Sequence, residues 1–121
     1  MTPPALSDQE RFDRLRLYRT ERIGPVNFHG LMRRFGSADA ALEALPGLAG
    51  GSGPTPAPVA KVEQELAAGE KIGAKLLVIG DPGFPEALTR LDPPAPILWA
   101  LGDPGVAARD AVGIVGARVA S

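Results

Sequence analysis

The 121-residue sequence predicts an α + α/β chain: a helical unit over residues 1–72, then the first strands of a parallel sheet over 73–121. Three observations carry this. Phe28, Leu31, Met32 and Phe35 recur at i, i+3, i+4, i+7, the spacing of one helix face. Residues 75–79, 97–101 and 111–115 are near-continuous apolar runs of strand length, as in sheets buried on both faces. Gly and Pro fall between these segments rather than within them, where they punctuate the chain.

Taken in order, residues 7–20 form the first helix. Ser7 caps it and Glu10 stands at the capping-box position. Phe12, Leu15 and Tyr18 make its apolar stripe, with Leu17 off that stripe. Ile23-Gly24-Pro25 turns the chain, and Pro25 suits the first position of a second helix that Gly36 ends. Ser37 caps a short third helix over 38–45, with Ala41, Leu42 and Leu45 on its apolar edge. Residues 46–58 hold four glycines, four prolines and no charge, which reads as a connector without regular structure. A fourth helix runs from Val59 to about Ile72, with Val59, Val62 and Leu66 inward and Glu63, Glu65 and Glu70 outward; Gly73 stops it. Beyond it lie the three apolar runs, with a short helical turn expected over 85–90.

Composition narrows the function classes. There is no cysteine and a single histidine, His29, so neither a disulfide nor a thiolate or imidazole metal site is expected. The N-terminus lacks a basic segment followed by an apolar one, and no apolar run is long enough to span a bilayer; a cytoplasmic protein is expected. The net charge of −1 hides an asymmetry: residues 1–36 carry seven arginines against four acidic side chains. That basic end faces either nucleic acid or solvent.

Residues 111–115 run into Gly116-Ala117-Arg118-Val119-Ala120-Ser121. A strand ending in a glycine turn exposes backbone amides, and a guanidinium adds a planar fork of donors with a stacking face. The pair suits a phosphate or a base. The spacing is not that of a dinucleotide fingerprint, so no cofactor is expected. Arg118 as a plain surface arginine remains the competing reading. Ile23-Gly24-Pro25 between two helices suits a helix-hairpin-helix that holds a DNA phosphate, with Leu45-Pro46-Gly47-Leu48-Ala49-Gly50 an imperfect second copy; tight helix–helix turns need glycine in any case. His29 reads as a satisfied helical histidine, Trp99 as core bulk, and Asp81 and Asp103 as turn residues. No nucleophile, general base or carboxylate pair is apparent, so no catalytic residue is expected.

Four segments, in order, resemble the DprA (Smf) family of bacterial DNA-processing proteins. They are Ile23-Gly24-Pro25 with Phe35-Gly36-Ser37-Ala38; Gly80-Asp81-Pro82-Gly83-Phe84-Pro85-Glu86-Ala87-Leu88; 92–103, with its Pro93-Pro94 and Leu98-Trp99; and Ile114-Val115-Gly116-Ala117-Arg118 with Ser121. The resemblance implies a sterile-alpha-motif-like (SAM-like) helical domain followed by a Rossmann-like domain. It implies single-stranded DNA binding, loading of the recombinase RecA during natural transformation, and a homodimer. Gly116, Ala117, Arg118 and Ser121 would then belong to the strand-binding site. Phe84 and Trp99 stand where tyrosine is common, and Ala117 where serine is common.

Two other readings stand beside it. One is a Rossmann-like nucleotide hydrolase of the phosphoribohydrolase kind, which needs a later glycine-rich segment with a Glu/Arg pair. The other is a helical protein-interaction module. On this reading the chain is the front end of a longer protein cut at Ser121. Its strands by themselves would expose apolar faces and an open edge, so residues 1–121 alone should aggregate or keep order only in residues 7–72.

Overall fold

The computed structural model describes residues 6–101 and 114–115, with side chains over 6–100. The chain divides into two compact units, Ser7–Glu63 and Gln64–Ser121 with Met1–Leu6.

The first unit is helical. Helix α1 spans Asp8–Arg19, α2 Pro25–Phe35 and α3 Ala38–Ala44. Ser7 Oγ accepts from the Glu10 amide at 3.0 Å, as its capping position predicts. The Glu10 carboxylate does something the capping box does not predict. It takes Arg14 Nε at 2.7 Å and the Ala38 amide at 3.4 Å, placing an acid at the positive end of α3. Ser37 Oγ caps the same end through the Ala40 amide at 3.2 Å. Gly36, at φ 84°, closes α2 in the left-handed conformation, its amide returning to the Met32 carbonyl.

Leu15, Leu17, Phe28, Ala38, Ala41, Leu42 and Leu45 are buried. Leu17 is fully covered although it lies off the predicted stripe, whereas Phe12 and Tyr18 are only half-buried. A helix covered on more than one side has no single stripe. Tyr18 meets Phe28 edge to face at 6.0 Å, joining α1 to α2.

The connector departs from expectation. It holds a 3-10 turn (Leu45–Gly47) and a one-turn segment α4 (Leu48–Gly51) in which Ala49 and Gly50 are left-handed. Its far end is clasped to α1. Thr20 Oγ1 accepts from the Ala57 amide at 3.0 Å and donates to the Arg16 carbonyl at 2.8 Å, while Arg16 Nε donates to the Ala57 carbonyl at 2.7 Å. The backbone N–H and C=O of Ala57 are thus both satisfied, one by the C-cap residue of α1 and the other by a side chain one turn earlier.

Helix α5 spans Val59–Lys71, beginning in the first unit and ending in the second. Val62 is buried as expected, but Val59 is 42% exposed. In the second unit β1 (Ala74–Val78) pairs antiparallel with β2 (Ile97–Leu101), which pairs antiparallel with β3 (Ile114–Val115). The expected parallel sheet is therefore corrected: the described strands run antiparallel. The link from β1 to β2 carries only a 3-10 turn (Glu86–Arg90), too little for the helical crossover that parallel neighbours need.

The apolar runs have another cause. Register places Leu76 and Val78 opposite Trp99 and Ile97 on one face, with Leu77 opposite Leu98 on the other. The first face meets α5 through Trp99; Phe84 and Leu88 cover the second with Leu77, Ala100, Ile79 and Leu98. Both faces are covered, so alternation vanishes without any parallel pairing. Trp99 also corrects one assignment on α5. Its Nε1–H donates to Glu65 at 2.8 Å, so Glu65 is half-buried and turned to the sheet rather than outward.

Candidate nucleic-acid interface

Three places were candidates to meet nucleic acid: the turn after β3, the hairpin between α1 and α2, and its imperfect copy over 45–50. Gly116, Ala117, Arg118 and Ser121 lie outside the described residues. The described part of that neighbourhood is β3 itself, whose Val115 pairs with Trp99. Since β1 and β3 both oppose β2, they run in the same direction.

The hairpin is described in full. The Thr20 amide returns to the Leu17 carbonyl at 3.2 Å and closes α1, and the Ile23 amide returns to Thr20 at 3.1 Å. Arg22 then takes a left-handed conformation at φ 70°, which costs a residue bearing a Cβ about 1 kcal/mol. Its carbonyl is held by Asn27 Nδ2 at 3.0 Å, while its side chain stays exposed. Gly24 is the N-cap of α2, extended and without a side-chain cap, and Pro25 follows at the first helical position. No acidic residue occupies the first turn of α2. The amides of Val26 and Asn27 therefore open onto a helix N-terminus that carries partial positive charge, with Arg22 beside it.

The second proposed hairpin does not repeat this arrangement. Leu48–Gly51 is a single distorted turn, and α5 begins only at Val59, so no helix N-terminus follows the glycines.

The basic end divides into arginines that build the fold and arginines that do not. Arg14 pairs with Glu10, Arg16 clasps Ala57, and Arg19 lies over the Tyr18 ring at 5.6 Å. Arg22, Arg33 and Arg34 are exposed. The Arg34 guanidinium lies over the Phe35 ring, 5.0 Å from its centroid. Charge counting could not separate the two sets, because Arg16 is committed by a residue 41 positions away.

His29 is half-buried and meets Phe28 edge to face at 5.4 Å. Asp81 closes a turn and also accepts from the Leu6 amide at 3.0 Å. Sequence reading passed over Asp13, which is only 6% exposed and accepts from Gln9 Nε2 at 3.0 Å. Burial pushes its carboxyl above the ordinary value, the Gln9 bond opposes this, and nearby Asp39 and Glu10 push the same way as burial. The only hint in the sequence is its i, i+4 spacing from Gln9.

Among the described residues no group of three or more His, Cys, Asp or Glu could hold a metal ion, and no helix is long and apolar enough to cross a membrane. A family model described as the DprA-like N-terminal HHH domain matches residues 8–68, which takes in α1 to α4 and most of α5. No curated protein matches the chain.

Proposed function

The chain belongs to the DprA family, and from that premise we propose that it is a single-stranded-DNA-binding protein that acts in DNA processing without catalysing a reaction. The match over residues 8–68 carries this reading, and the hairpin supports it: an uncapped helix N-terminus beside an exposed arginine suits a backbone phosphate.

In this reading residues 1–72 are the SAM-like domain and 73–121 open a Rossmann-like one. The antiparallel strands are compatible with that, because mixed sheets carry antiparallel edge strands beside a parallel core. Gly116, Ala117, Arg118 and Ser121 form the strand site, with Arg118 on a phosphate or base. Protection of the strand during natural transformation, delivery to RecA and a homodimer complete the proposal. Attachment is electrostatic and by stacking rather than by reading base edges, so affinity falls steeply with salt.

The test is titration of a fluorescent single-stranded oligonucleotide at several salt concentrations, with the protein and its Arg118→Ala variant. Salt-sensitive binding that weakens in the variant is the expected result. Absence of binding by the unaltered protein removes the reading, and nucleotide hydrolysis becomes the next assay.

A further inference from the structure

Among the described residues, α2 and α5 each carry one interior glycine, where glycine costs about 1 kcal/mol relative to alanine. Gly69 in α5 has an internal reason, because a Cβ there would overlap the Trp99 indole. Gly30 in α2 has none. The nearest atom to its virtual Cβ is Arg33 Nη2, 4.0 Å away, and its φ lies outside the left-handed region. What a bare backbone makes room for at Gly30 is outside the helical unit.

The surroundings say what that is. Val26, Gly30, Arg33 and Arg34 follow one another along the outward side of α2, with Arg22 at its N-terminal end. Val26 is 66% exposed, and all three arginines are exposed. Between Arg22 and Ala38 there is no carboxylate. Among the described residues neither Arg22 nor Arg33 has an ion-pair partner, and the Arg34 guanidinium lies over the Phe35 ring. A partner helix would need an apolar seam, and this face offers one exposed valine. A phosphodiester backbone needs positive charge, close approach and a sequence-tolerant stacking surface, and the face supplies all three.

We propose that the outward face of α2, from Arg22 through Val26 and Gly30 to Arg33 and Arg34, is a second contact surface for single-stranded nucleic acid, separate from the turn after β3. The proposal rests on the DNA-binding reading above and adds a site to it. Gly30 admits the strand, Arg22 and Arg33 take phosphates, and the Arg34 guanidinium, backed by Phe35, offers a plane for a base.

The experiment is fluorescence anisotropy with a labelled oligothymidylate across a salt series, using the chain and four variants. Arg33→Ala/Arg34→Ala should lower affinity about tenfold at low salt. It should also flatten the log–log salt slope by about 0.7, the loss of the one phosphate contact that Arg33 makes. Lys61→Ala/Lys71→Ala removes the same charge from exposed positions on α5 and should change affinity less than twofold. Gly30→Glu should weaken binding while thermal stability holds or rises, since the site has room and glutamate favours helix. Arg118→Ala separates the two sites. If it abolishes binding while Arg33→Ala/Arg34→Ala and Gly30→Glu bind like the unaltered chain, the α2 surface is overturned and the strand-end turn stands. If the α2 variants alone lose binding, the α2 surface stands and the turn does not. Equal competition by duplex DNA, or capture of an acidic peptide in place of the oligonucleotide, overturns the proposal.

Discussion

Gly69 and Gly30 look alike in the sequence, each a lone glycine in an amphipathic helix, and the structure gives them opposite meanings. Gly69 is a socket: the Trp99 indole fills the space a side chain would take and donates to Glu65 one turn earlier. Gly30 is half-buried, and the nearest atom to its virtual Cβ is the Arg33 guanidinium, 4.0 Å away at the far end of an exposed, flexible side chain. The same residue type thus serves packing in one helix and leaves a clear surface in the other. What distinguishes them is the partner at a distance, which no local window contains.

The sharpest way to break this comparison is at the socket's other half. Trp99→Ala empties a large volume between α5 and the sheet and leaves Glu65 without its indole donor. A loss of about 3–5 kcal/mol is expected by urea unfolding. Gly69→Ala should cost about 1–3 kcal/mol, because overpacking against Trp99 outweighs the gain in helix propensity. A stable Gly69→Ala protein would mean the indole does not fill that site. Gly30→Ala should go the other way and stabilise by about 0.5–1 kcal/mol, read as a rise in Tm. Were both alanine variants to move stability in the same direction, the contrast would fail.

The clasp on the connector sharpens the contrast between arginines in the same way. Thr20→Val keeps shape but leaves the buried Ala57 amide without an acceptor, for a loss of about 1–3 kcal/mol. Arg33→Ala should leave stability within about 0.5 kcal/mol, as a side chain exposed and unpaired among the described residues should.

Asp13 gives the smallest effect and the one that depends on pH. Its carboxyl is raised by burial, so the ionised form is penalised in the folded chain and its charge opposes folding at neutral pH. That penalty fades as pH falls through the raised value toward the ordinary 3.8 and is absent below it. Asp13→Asn keeps an oxygen for Gln9 and should raise Tm at pH 7, with the gain vanishing below about pH 4. A gain that persists in acid would point to packing rather than charge.

Much of the helical unit was legible because its signals are local. Ser7, Pro25, Gly36 and Ser37 mark helix ends through hydrogen bonds or dihedrals spanning three or four residues, and α1, α2 and α3 fall within a residue of where those signals put them. The strands too were placed to within a residue where described, since an aliphatic run bounded by Gly and Pro has few alternatives. Their direction was not legible. Continuous apolar runs report that both faces are covered, and the same pattern arises whether the neighbour is parallel or, as here, antiparallel.

The hairpin was readable as a candidate from Ile23-Gly24-Pro25 alone. Its left-handed residue is Arg22, however, and nothing local in an arginine announces that conformation. Residue patterns alone place the ends of α1, α2 and α3 and of the described strands, though not the short turns within the connector, and show that the first 36 residues are basic. Which arginines are committed to the fold, which glutamate turns inward to an indole, and which glycine is a socket depend on contacts that no local window contains. Caps and periods are set by bonds between near neighbours, whereas the use of a side chain is set by whichever distant atom reaches it first.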